Sequence, residues 1–129
     1  MRALIIEDDV HTVRLISELL QALNFDCLTT DNLIEALSVL EQDADIQLVT
    51  LDVFLPGLQG TTLLQTLRER FGHIKVLIVS AHVADLEAEC DPLIAPLAKL
   101  AKPFRQAEFR SAIQALGLIP ATPDPDSNR

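Results

Sequence analysis

Residues 74–80 read IKVLIVS, and apart from Lys75 and Ser80 every side chain in the run is aliphatic. A strand with one wet face alternates apolar and polar residues, whereas a strand covered on both faces does not. The run therefore predicts a central strand of a parallel sheet lying under helices on both sides.

Working outward, the same two periodicities alternate along the whole chain. Short apolar runs at 3–7 (ALIIE), 25–29 (FDCLT), 47–52 (QLVTLD) and 97–101 (LAKLA) read as further strands. Between them lie stretches of helical period. Residues 9–23 place Val10, Val13, Ile16, Leu19, Leu20 and Leu23 on one stripe, with Asp8 or Asp9 as cap. A second helix runs from a cap at Asp31 to Glu41 with Leu33, Ala36, Leu37 and Leu40 inward. VFLPGLQG (53–60) is a loop and TTLLQTLRERF (61–71) an amphipathic helix. The fourth helix, within 81–96, is shortened or broken by Pro92 and Pro96, which lack amide donors. A fifth covers 105–116 and ends at Gly117. Five strand–helix units imply an α/β fold: a five-stranded parallel sheet flanked by helices, doubly wound and flavodoxin-like, (βα)5. The domain spans 1–117, and 118–129 reads as a flexible, acidic, proline-rich tail or the start of a linker.

Composition narrows the function. A chain of 129 residues with a formal net charge of −9 is a poor match for a nucleic acid backbone. No apolar stretch approaches the roughly 18 residues that cross a bilayer, and no secretion signal opens the chain, so no membrane role and a cytoplasmic location are expected. Cys27 and Cys90 fit that setting as free thiols.

In doubly wound sheets ligands bind beyond the carboxyl ends of the strands, near the point where strand order reverses. Those ends carry Glu7 and Asp8, then Asp52, Ser80 and Lys102. Three carboxylates at one sheet edge form a negative pocket of hard oxygens suited to Mg²⁺ (or Mn²⁺). Lys102 adds a fixed positive charge and Ser80 a hydroxyl donor. Together these are the parts for phosphoryl transfer.

These motifs taken in order, LIIEDD, LVTLDVFLPGLQG, VLIVSA and LAKPF, resemble the response-regulator receiver domains of two-component signalling (CheY-like). The resemblance covers residues 1 to about 117. It implies Asp52 as phosphoacceptor, with Glu7, Asp8, Asp52 and the backbone carbonyl of Phe54 holding the metal. Lys102 pairs with phosphoryl oxygens, beside a cis bond to Pro103. Ser80 is the switch hydroxyl, with small Ala81 leaving it room. Implied partners are a sensor histidine kinase or histidine phosphotransfer protein and a downstream protein effector; whether two copies pair as a homodimer stays open.

One position departs from the family. The aromatic residue expected three positions before the lysine is Lys99, and the chain has no Tyr or Trp. An ammonium does not fill an apolar slot cheaply, so Lys99 is expected to face solvent and meet an acidic partner. The output face around the fifth strand is expected to be altered. The activity is that of a phosphoacceptor that slowly hydrolyses its own acyl phosphate, not of an enzyme. The alternative is a pseudo-receiver that binds partners without phosphorylation. A strand-end aspartate phosphatase would want a second acid two residues on, where Phe54 stands. A nucleotide binder would want a glycine-rich first loop, which is missing.

Overall fold

In the computed structural model, the structure describes residues 1–52, 60–84, 92, 94 and 96–120. Its elements run β1 (Arg2–Ile6), α1 (Val10–Ala22), β2 (Asp26–Thr30), α2 (Leu33–Gln42), β3 (Ile46–Leu51), α3 (Gly60–Arg70), β4 (Lys75–Ser80), β5 (Ala98–Ala101) and α4 (Gln106–Ala115). All strand pairs are parallel, in the order β2-β1-β3-β4-β5. The chain steps outward from β1 to β2 and then crosses back to β3, so the order reverses between β1 and β3.

Both faces of the sheet are covered, as the aliphatic run at 74–80 requires. Ala3, Ile5, Leu48, Leu77, Val79 and Leu100 pack on one side with Ile16 and Leu20 of α1 and Phe109 and Ile113 of α4. Leu4, Ile6, Val49, Leu51, Val76 and Ile78 pack on the other with Ala36 and Leu40 of α2 and Leu63 and Leu67 of α3. Alternate residues of one strand thus feed two cores, which is why β1 and β4 tolerate no polar position between their ends.

Helix ends set where the functional loops begin. Asp9 caps α1, accepting from the His11 amide and the Thr12 hydroxyl. The cap of α2 is Asn32, not Asp31: its side chain accepts the Glu35 amide at 2.8 Å. Thr30 still belongs to β2 and bonds the Asn32 backbone, which pushes the first helical residue to Leu33. After α4, Gly117 takes φ +78, a left-handed value that glycine adopts without strain. Beyond it, Leu118 and Ile119 pack against the α1–α4 core. Pro92 and Pro96 lie in turns, and Ile94 between them is buried against the α2–α3 layer. Most of the helix read as proline-broken lies outside the described residues.

Candidate functional site

Backbone hydrogen bonds that extend the ladders past the strand ends place the site. The Glu7 amide donates to Thr30 O at 3.0 Å, the Asp52 amide to Ile6 O at 3.2 Å, and the Lys102 amide to Ser80 O at 2.9 Å. The ends of β1, β2 and β3, and those of β4 and β5, are thereby held in register at one rim, over the reversal between β1 and β3.

There the Lys102 ammonium bridges two carboxylates. Its Nζ donates to Glu7 Oε2 at 2.6 Å and to Asp52 Oδ2 at 3.1 Å. Glu7 is the most enclosed of the three, and its Oε1 also accepts the Asp9 amide at 3.2 Å. Burial pushes the Glu7 carboxyl pKa up and the charge of Asp52 adds to this; hydrogen bonds from Lys102 and the Asp9 amide offset only part of it. For Lys102 burial pulls the pKa down, but hydrogen bonds to Glu7 and Asp52 and their charges outweigh that, and the ammonium ends above the usual lysine value.

The other predicted residues have their own surroundings. Ser80 is fully buried, and its Oγ accepts the His82 amide at 3.0 Å; exposed Ala81 lies between them. Asp8 is exposed and, with Glu7, lines a cleft of about 310 Å³ that also takes in Val10, Thr30, Asp31 and Glu35. The Phe54 carbonyl lies outside the described residues. The Lys102–Pro103 bond is cis. Lys99 does not simply face solvent: it is half-buried, and its ammonium folds back to donate to Leu97 O at 2.9 Å. A half-buried ammonium is better off with an acceptor, and the carbonyl just before β5 supplies one.

The oxygen donors suit a hard cation, although among the described residues no three carboxylate, histidine or cysteine side chains converge as a ready-made cage. Glu7 and Asp52 meet on Lys102, and Asp8 stands apart. Reading along the chain missed the contribution of β2. Thr30 and Asp31 border the cleft, and the polar step from Leu28 to Asp31 was the available sign. A larger cavity of about 360 Å³ lies away from this chemistry. It sits beside the start of β4, between Leu64, Leu67, Arg68 and Pro96, and no carboxylate lines it among the described residues.

Comparison with known proteins agrees with the fold. A family model described as "Response regulator receiver domain" matches residues 3–114. The transcriptional regulatory protein CpxR homolog of Haemophilus influenzae is 30% identical over 122 residues, covering 95% of this chain and 52% of that protein. The chain spans about half the length of that curated relative. A response regulator structure from Thermotoga maritima is 26% identical with a TM-score of 0.76, covering 89% of this chain and 95% of that one. The receiver domain of the sensor histidine kinase PA1611 of Pseudomonas aeruginosa, with magnesium coordinated in its active-site cleft, matches in fold at a TM-score of 0.75 and 24% identity, covering 90% of this chain and 97% of that one.

Proposed function

The chain belongs to the response regulator receiver family, and from that premise we propose that Asp52 takes a phosphoryl group from a histidine kinase or histidine phosphotransfer protein. The observation that carries this reading is the double contact of Lys102 to Glu7 and Asp52, which gathers three distant stretches at one rim. An Asp52 carboxylate oxygen attacks the phosphorus of a phosphohistidine. A P–O bond forms, the P–N bond breaks, and the imidazole nitrogen leaves with its electron pair and takes up a proton. Lys102 neutralises charge on the transferred oxygens. Glu7, Asp8 and Asp52 supply carboxylate oxygens of the kind that hold Mg²⁺ or Mn²⁺, and such an ion would neutralise further phosphoryl charge.

Output goes to a protein effector through a conformational switch. To turn toward the phosphoryl group, Ser80 gives up its contact with the His82 amide, and the loop after β4 moves with it. Water attack at phosphorus then slowly restores the carboxylate and releases phosphate. Incubation with Mg²⁺ and acetyl phosphate is expected to add one phosphoryl mass to the intact protein, and none to Asp52→Asn. The pseudo-receiver reading draws on Lys99, which stands where an aromatic switch residue is usual. No adduct from any phosphodonor, with effector binding intact, would favour it.

A further inference from the structure

Among the described residues, four polar or charged ones are buried: Glu7, Thr30, Thr50 and Ser80. Glu7, Thr30 and Ser80 lie at strand ends with their hydrogen bonds met. Thr50 differs on both counts. It lies inside β3, is 1% exposed, and its Oγ1 is the one buried side-chain polar atom among the described residues with no hydrogen-bond partner.

Its place in the sheet gives that hydroxyl a neighbourhood. Thr50 is in register with Ile5 and Leu77, so it shares their face, against α1 and α4. Two residues further along the same face come Glu7, just past β1, and Asp52, just past β3. Thr50 is the polar residue in the apolar row directly beneath the two carboxylates that Lys102 bridges. At ordinary strand spacings its Cα is about 7 Å from that of Asp52 and about 8 Å from that of Glu7. Strand propensity does not explain a threonine here, because valine has the same branched shape and equal liking for a strand. In this conformation valine would be the more stable choice, since an unmet buried hydroxyl is unfavourable.

We infer that Thr50 is a positioning residue of the switch, whose hydroxyl donates to the Glu7–Asp52 carboxylate row once Asp52 is phosphorylated. This rests on the reading of Asp52 given above. In the resting state Lys102 serves both carboxylates. A phosphoryl group draws the ammonium to itself, and an enclosed carboxylate oxygen above Thr50 loses a donor. Thr50 holds a hydroxyl donor without a partner in the row beneath. The hydroxyl destabilises the resting form and stabilises the phosphorylated one, so it biases the equilibrium in one direction.

Beryllofluoride with Mg²⁺ stands in for the phosphoryl group at equilibrium, and calorimetric titration suits a chain with neither Tyr nor Trp. Thr50→Val is expected to raise the resting thermal midpoint and to weaken beryllofluoride binding roughly five- to tenfold. Thr50→Ser should bind as the native protein does. Thr50→Ala, which also lacks the hydroxyl, repeats the binding arm should the valine variant fold poorly. Unchanged binding in the valine and alanine variants overturns the inference, and so does a lowered resting midpoint in Thr50→Val. If the native protein itself takes neither beryllofluoride nor a phosphoryl group, the Asp52 reading falls and this inference falls with it.

Discussion

Strand β1 carries a charged contact at each end. At its start Arg2 meets Asp43 across the amino edge of the sheet, with side chains 46% and 14% exposed. At its far end Lys102 meets Glu7, at 19% and 2%. The first pair is wet on the arginine side, and Asp26 and Asp45 stand near it as well. Water and salt can replace much of what each partner offers the other there. The second has little water to fall back on. Removing either member leaves a charge enclosed beneath a closed sheet edge, and a reagent that offers Lys102 a better partner must rearrange the whole rim. The same strand therefore shows one contact open to water and another enclosed at the rim.

The largest effect expected from this contrast is at the buried end. Lys102→Met keeps the length of the side chain but strips Glu7 of its cation. The loss is expected to be on the order of 3 kcal/mol in urea unfolding, the scale of breaking an enclosed ion pair by one partner. Arg2→Met at the other end should barely move the unfolding midpoint. Equal effects from the two substitutions would break the comparison.

How far the sequence foretells this arrangement depends on the distance over which each contact acts. The strands and their two-sided burial are legible because alternation is local: IKVLIVS can satisfy its side chains only between two layers. Strand-end chemistry is legible by the same logic, since Glu7, Asp52, Ser80 and Lys102 each close an apolar run. The bridge from Lys102 to Glu7 spans 95 residues, and no local pattern announces it. Asp31 and Asn32 cap a helix about equally well; the choice is made by where β2 lets go of Thr30. Thr50 reads as an ordinary β-branched strand residue, because what distinguishes it is a missing partner. Lys99 reads as a surface lysine because its acceptor is a backbone carbonyl, and every residue has one of those.

A divalent cation sharpens the comparison at a smaller scale. If Glu7 and Asp52 offer their oxygens to a cation whenever Lys102 does not, then Mg²⁺ should rescue part of the loss in Lys102→Met. At tenfold excess over its Kd the ion would contribute about 1.4 kcal/mol, read as a shift in the urea midpoint. Arg2→Met leaves Asp26, Asp43 and Asp45 without their arginine, another acidic cluster but an open one. It is expected to show no comparable Mg²⁺ shift. A matching shift there would mean that acidity alone, without the enclosed rim, suffices.

The smallest effect belongs to acid. The hydrogen bond from Arg2 holds the Asp43 carboxyl below the usual aspartate range. At the cap of α1 the Thr12 hydroxyl does the same for Asp9. A carboxyl whose folded pKa is depressed binds its proton less readily in the native state than in the unfolded one. Its contribution is complete above the ordinary aspartate pKa of about 3.9 and fades as pH falls through the folded value. Asp43→Asn and Asp9→Asn should therefore each lower stability by a constant amount above about pH 5 and flatten the acid limb below about pH 4, where the native carboxylate's own contribution is being lost. Raising the salt concentration should erase most of the Asp43 effect, since that pair is reached by counter-ions. The Asp9 effect should resist salt better, because it depends on a short hydrogen bond from Thr12, 2.6 Å long, and not on a distant charge.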